Sequence, residues 1–216
     1  MNENQDFSAD NGKNSQDEQV PVNPRVLSLF QQGLIFTRSE AYDRAIASYD
    51  KALEIQPDAY DIWDNRGSAL HSLGRYQEAI ASYDQALAIH SNYYLSWAHR
   101  GNALKSLGRY KEAIASYDKA LEIKPDYYRG WDNRGDALRY LSRYEEAVAS
   151  YDKALEIKPD YSYTWFSRGY VLEQLKRYEE AVASYDQALA LKPEYYEFWE
   201  NRGDALRYLG RYEEAI

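Results

Sequence analysis

The side chains that most often carry out catalysis are scarce in this sequence. Cysteine is absent, which excludes thiolate nucleophiles and Cys-ligated metals, and the histidines are His71, His90 and His99. None is spaced with a carboxylate as a nucleophile–base triad or a zinc site requires, so we expect exposed or helix-capping histidines. Neither common glycine-rich phosphate loop occurs. The sequence therefore predicts a protein that is not an enzyme and that has no catalytic residue, metal or cofactor.

The tryptophans recur at a constant spacing of 34 residues, at Trp63, Trp97, Trp131, Trp165 and Trp199. With Trp at position 4 of a 34-residue frame, glycine recurs at position 8, tyrosine at 17 and 24, and alanine at 20 and 27. Chance does not keep this many positions in register, so the protein is a tandem repeat. The predicted repeats are 26–59, 60–93, 94–127, 128–161, 162–195 and a partial repeat, 196–216.

Composition and charge narrow the class of partner. Lys and Arg number 26 and Asp and Glu 35, a net charge of −9 among 216 residues. An acidic protein is a poor match for phosphate backbones and for anionic membrane surfaces, so no nucleic-acid or membrane partner is expected. No signal peptide or membrane-spanning run is visible, and a cytoplasmic location is predicted. Residues 1–25 are polar and acidic, and we expect a disordered tail there.

Each repeat is predicted to form two helices. In repeat 128–161, apolar and small residues recur every three or four positions on either side of Ser142-Arg143, which indicates a helix, a short turn and a second helix. Pro159 should end the second helix. Asp160 is placed to cap the helix that follows.

These residues resemble the tetratricopeptide repeat family. The family pattern has Trp at 4, Gly at 8, Tyr at 17, Ala at 20, an aromatic at 24, Ala at 27 and Pro at 32, and repeat 128–161 matches all of it. The repeats also match one another closely, and in this they resemble many bacterial arrays of the family, cyanobacterial ones especially. The resemblance implies an all-α fold, a right-handed superhelical solenoid of antiparallel helix-turn-helix repeats, with the first helices lining a concave groove.

The resemblance also implies where a ligand would lie. In the family, first-helix positions 2, 5, 6, 9, 12 and 13 face the groove, and these are the positions at which the present repeats differ most. Asparagines at position 6 are suited to bonding a peptide backbone, acids at 5 and 9 to basic side chains, and the aromatics of the fifth repeat to an apolar anchor. The predicted peptide-binding groove consists of Asp64, Asn65, His99, Asn102, Asp132, Asn133, Asp136, Tyr163, Phe166, Tyr170, Glu200, Asn201 and Asp204. At position 12 the groove adds Lys105, Arg139 and Arg207.

Two other polar sets have simpler explanations. The pairs Glu145-Glu146 and Glu179-Glu180 recur at the same frame position, which favours a solvated helix start over an acid–base pair. The family prefers Leu at position 7, but this protein has an arginine row there: Arg66, Arg100, Arg134, Arg168 and Arg202. Position 7 points away from the groove, so we expect stems packed between helices and heads paired with acids of the adjacent repeat, rather than a ladder that binds phosphate or carboxylate.

The clamp by which chaperone-binding members hold a C-terminal carboxylate is missing, because no lysine occurs at position 5. The leading hypothesis is a non-enzymatic scaffold that binds a peptide or protein segment, basic with an apolar anchor, in its groove. One alternative is a self-associating array, driven by the incomplete second helix after Tyr212. Another is the interaction arm of a larger enzyme or signalling protein.

Overall fold

The structure is a computed structural model that describes residues 23–215. Within that range the protein forms eleven α-helices and a final 3-10 turn. Their bounds are α1 Pro24–Arg38, α2 Tyr42–Ile55, α3 Tyr60–Ser72, α4 Tyr76–Ile89, α5 Tyr94–Ser106, α6 Tyr110–Ile123, α7 Tyr128–Tyr140, α8 Tyr144–Ile157, α9 Ser162–Gln174, α10 Tyr178–Leu191 and α11 Tyr196–Tyr208, followed by the turn Tyr212–Ala215. Each helix packs chiefly on its sequence neighbours, and the all-α solenoid is confirmed.

The array begins slightly before the predicted boundary. Residues 1–22 of the predicted tail lie outside the described residues. Its last residues, however, start α1: Asn23 Oδ1 accepts the Arg25 backbone N–H at 2.9 Å, and Pro24 occupies the first turn. An asparagine cap followed by proline favours a helix start, because proline lacks the N–H that would otherwise be unpaired.

The turn inside each repeat requires one residue in the left-handed region. Gly74, Gly108 and Gly210 adopt φ values of 73°, 72° and 74°. Ser142 occupies the same position with φ 57°, which confirms the predicted turn at Ser142-Arg143. The second helix starts two residues later, so the two helices of each repeat are antiparallel neighbours.

The predicted cap at Asp160 is wrong. The cap residue of α9 is Tyr161, without a side-chain hydrogen bond, and the carboxylate of Asp160 turns back to Lys158 Nζ at 2.8 Å. Asp160 lies two residues before Ser162, the first residue of α9, so it is too early in the sequence to cap that helix. Helix α8 ends at Ile157, before Pro159, as predicted.

A row of buried tyrosines forms the centre of the core. Tyr49, Tyr83, Tyr117, Tyr151 and Tyr185, at position 24 of successive repeats, are almost fully buried against the glycines at position 8. Small residues at position 8 therefore set how closely the two helices of a repeat approach, and the tyrosine ring fills the space.

The heads of the arginine row pair with acids of the preceding repeat, as predicted. Arg134 of α7 donates from Nε to Asp118 Oδ1 of α6 at 2.6 Å, and from Nη1 to Ser150 Oγ of α8 at 2.6 Å. Arg66, Arg100 and Arg168 make the equivalent pair of bonds, and Arg202 keeps the bond to the preceding acid. The structural interpretation of this row is confirmed, since its guanidinium groups are used within the stack.

Candidate functional site

The acids at position 5 of the second and fourth repeats are engaged by the repeat that follows. Asp64 is 5 % exposed, and Ser96 Oγ at position 3 of the next repeat donates to Asp64 Oδ1 at 2.6 Å. Two repeats later, Thr164 Oγ1 donates to Asp132 Oδ1 at 2.6 Å. Asp64 is therefore removed from the set of acids that a ligand can reach. It serves instead to join one repeat to the next.

The residue at position 5 of each repeat is complementary to the residue at position 3 of the next repeat. Where position 5 is Asp, the next repeat offers a hydroxyl. Where it is Phe166, the next repeat offers Phe198, with stacked rings 4.8 Å apart. Where it is Ala98, the next repeat offers Gly130. Side chains that differ between repeats thus match their neighbours across each interface.

His99 is neither exposed nor a cap, so the expectation for this histidine is wrong. Its Nδ1 lies 3.1 Å and 3.2 Å from the two oxygens of Asp64, and its ring lies 5.7 Å from that of Tyr83. Burial lowers the pKa of His99, but the charge and hydrogen bond of Asp64 outweigh it, and the net pKa is raised. Sequence spacing missed this pair because the partners are 35 residues apart, on α3 and α5.

The polar groove residues of the middle repeats largely bind one another. Lys105 Nζ donates to Asn133 Oδ1 at 2.6 Å and contacts Asp136 Oδ2 at 3.2 Å. Tyr151 donates to Asp136 at 3.0 Å, and Tyr117 donates to Asn102 at 2.8 Å. The asparagines of position 6 donate to their own helices, Asn65 to Asp61 O, Asn133 to Arg129 O and Asn201 to Glu197 O. One amide donor of each is therefore already used.

A pocket of about 480 Å³ opens between α7, α9 and α11. Phe166, Ser167 and Tyr170 of α9 form its floor, and Arg139 of α7 lies on one side. On the other side lie residues of α11: Tyr196, Glu197, Glu200 and Asn201. Of the thirteen predicted groove residues, the structure brings Phe166, Tyr170, Glu200 and Asn201 together here.

The remaining predicted residues at this end have other contacts. Tyr163 packs edge-on against Tyr195, with ring centroids 5.6 Å apart, and does not line the pocket. Asp204 pairs with Arg207 on the same helix. The predicted set missed Tyr196 and Glu197. Tyrosines at position 1 of two other repeats, Tyr94 and Tyr128, pack edge-on against neighbouring tyrosines, which hid the different role of Tyr196. The signal was the place of Tyr196 beside the two acids of the first turn of α11.

Between residues 23 and 215, no group of three or more His, Cys, Asp or Glu side chains is arranged to hold a metal ion. Over the same residues, every helix is too short or too polar to cross a bilayer.

Family models identify these repeats directly. Models described as tetratricopeptide repeat match residues 30–94, 133–194 and 166–216, and a second model of the same description matches 94–127. The chain belongs to the tetratricopeptide repeat family. Comparison with curated proteins gives no match.

Solved structures share the solenoid fold. The MamA protein is 20 % identical with a TM-score of 0.72, and the alignment covers 79 % of this protein and 93 % of MamA. PilF of Pseudomonas aeruginosa is 19 % identical with a TM-score of 0.77, covering 88 % of this protein and 87 % of PilF. YrrB, described as a TPR protein with an unusual peptide-binding site, is 23 % identical with a TM-score of 0.69, covering 78 % and 87 %. At these identities the similarity establishes the fold alone.

Proposed function

We propose that this tetratricopeptide repeat array is a non-enzymatic, cytoplasmic scaffold that binds a protein segment in the pocket between α7, α9 and α11. The family and its structural neighbours support protein–protein interaction as the general role. The observation that carries the specific proposal is the pocket itself, where aromatic side chains and acids converge on open space. Elsewhere on the same surface, the polar residues are largely bonded to each other.

The chemistry of the pocket favours a basic segment with an apolar anchor. Phe166 and Tyr170 offer an aromatic floor for a large apolar side chain. Glu200 has no ion-pair partner among residues 23–215, and with Glu197 it places two carboxylates at the α11 side. A lysine or arginine adjacent to the anchor would lie against these acids.

A displayed peptide library tests this proposal. The full-length protein should enrich peptides in which Lys or Arg neighbours a large apolar residue. The double variant Tyr170→Ala, Glu200→Gln should lose that enrichment, while the control Tyr208→Ala, Glu54→Gln, with one exposed tyrosine and one exposed acid outside the pocket, should keep it. Equal enrichment by both variants, or selection of acidic peptides, would contradict the proposal.

Two other roles stay as separate predictions. One is self-association through the C-terminal end, and the other is a role as the interaction arm of a larger enzyme or signalling protein. Trp199 is 52 % exposed, whereas the tryptophans of the preceding repeats are half-buried. The molar mass measured by light scattering across a concentration series decides the first of these.

A further inference from the structure

The three groove cations at position 12 have unequal surroundings. Lys105 is bonded to Asn133 and Asp136, and Arg207 pairs with Asp204. Arg139 instead has its Nη2 3.9 Å from Asp136 Oδ1, which is beyond hydrogen-bond distance. Its Nε is buried and has no hydrogen-bond partner among residues 23–215. Of these three cations, Arg139 therefore has the weakest pairing with an acid.

The guanidinium of Arg139 is nevertheless held in place. It lies over the Tyr140 ring at 4.5 Å from the centroid and 5.6 Å from that of Tyr170. Contact with the aromatic rings and a hydrogen bond with Tyr140 hold the guanidinium, while its Nε–H is left without a partner among residues 23–215. Tyr170 also forms part of the pocket floor, so the same ring serves the cation and any apolar group beside it.

A cation with a donor left unused, held at the edge of a pocket, is suited to a carboxylate. Guanidinium donors match the two oxygens of a carboxylate and bind it more strongly than a neutral acceptor. Asp136 does not neutralise Arg139 fully, because the oxygens of Asp136 also accept hydrogen bonds from Lys105 and Tyr151. Across the pocket, Glu197 and Glu200 carry the opposite charge.

Resting on the proposed function, we infer that Arg139 binds a carboxylate of the same segment whose apolar side chain fills the pocket. The ligand is then a segment with an acid on one side of its anchor and a base on the other. The acid lies against Arg139 of α7 and the base against the glutamates of α11. The carboxylate has two possible sources, an acidic side chain or the carboxyl terminus of the ligand.

Synthetic peptides test this inference by fluorescence anisotropy with the full-length protein. The parent is blocked at both ends and has Glu, Phe and Arg in that order between Gly-Ser flanks. A second peptide has Gln in place of Glu. A third has Arg followed by Phe and ends in a free carboxyl terminus directly after Phe, so that its carboxylate and its base lie on opposite sides of the anchor. The inference predicts that the Gln peptide binds roughly ten- to hundredfold more weakly than the parent, as for loss of a charged hydrogen bond. Recovery by the third peptide identifies a carboxyl terminus as an equivalent source, and no recovery identifies the side chain.

Protein variants locate the effect. In Arg139→Gln the parent and Gln peptides should bind equally, and Arg139→Lys should restore part of the difference. Arg109→Gln, at an exposed arginine before α6 and outside the pocket, should keep the full difference. Circular dichroism and the thermal midpoint show whether each variant folds.

Three results would overturn the inference. Equal binding of the parent and Gln peptides to the native protein removes the role of the carboxylate and leaves the scaffold function standing. A difference that persists in Arg139→Gln places the carboxylate elsewhere. If no peptide binds but the library still enriches basic apolar segments, the inferred order of acid, anchor and base is overturned. If the library also enriches nothing, the proposed function is overturned as well.

Discussion

Gly135 of α7 lies directly against the ring of Tyr151 of α8, so close that a Cβ added to the glycine would be 2.6 Å from Tyr151 Cε1. Tyr151 is fully buried and cannot move aside without disturbing its neighbours. The glycine of position 8 is therefore required by packing, not by backbone conformation, because it lies inside a helix.

Gly135→Ala should lower the free energy of unfolding by about 1–3 kcal/mol, since the added methyl overfills a packed core. Gly203→Ala is the matched control: at that equivalent position the nearest atom to an added Cβ is Ala215 O, at 3.4 Å. The control should be neutral or stabilising, because alanine favours helix more than glycine does. Urea denaturation measures both, and equal losses in the two variants would contradict the steric explanation.

Thr164→Val should destabilise the array by about 1.5–3 kcal/mol, because the hydroxyl that bonds the Asp132 carboxylate is lost while shape is kept. Adding Asp132→Ala to this variant should recover part of the loss, since alanine already occupies position 5 at Ala98. Strictly additive losses in the double-variant cycle would show that the two side chains act independently.

The stability contributed by His99 should depend on pH. Its folded-state pKa is raised by Asp64 above the usual value of 6.5, so its contribution is fully present below pH 6.5 and is lost as pH rises through the folded pKa. The difference in unfolding free energy between the native protein and His99→Gln should therefore be larger at about pH 5.5 than at about pH 9.

His71 supplies the opposite control. Burial, followed by the charge of His99, lowers its pKa, so its contribution is present above pH 6.5 and declines as pH falls through the folded value. The His71→Gln comparison should consequently show the reverse trend. A pH-independent difference for His99→Gln would argue against the buried pair with Asp64.

Ser142→Gly should stabilise the array modestly, because Ser142 has φ 57° and glycine adopts this conformation without strain. The reciprocal change Gly108→Ser, at φ 72°, should cost about 1 kcal/mol. Nothing lies within 4 Å of a Cβ added to Gly108, so packing does not contribute. Thermal denaturation of the two variants should shift in opposite directions.

The sequence was sufficient for the fold because the residues that recur at each 34-residue step are the packing residues themselves. The helix bounds follow from Pro159 and from the turn at Ser142, and the arginine row follows from the direction of position 7. The candidate site was harder to predict from the sequence than the fold. In repeats two and four, position 5 is an aspartate, which the sequence alone does not distinguish from a solvent-facing acid. In the structure, Ser96 and Thr164 of the following repeats donate hydrogen bonds to these aspartates.

Which polar residues remain open depends on contacts between repeats. Lys105 forms hydrogen bonds with Asn133 and Asp136 across α5 and α7, whereas Arg139 pairs with Asp136 only at 3.9 Å, without a hydrogen bond. The next repeat accounts for this difference: its positions 6 and 9 are Asn133 and Asp136 for Lys105, but Ser167 and Tyr170 for Arg139. The aromatic floor of the pocket is easier to find, because Phe166 and Tyr170 lie one helical turn apart on α9.

The matching of position 5 with the next position 3 constrains how this array can gain or lose repeats during evolution. Removing the single repeat 94–127 would place Gly130 after Asp64 and leave a buried carboxylate without its hydroxyl. Removing 94–161 would place Thr164 there and restore a hydroxyl of the same kind. After Asp64, the loss of two 34-residue periods should therefore be tolerated more readily than the loss of one.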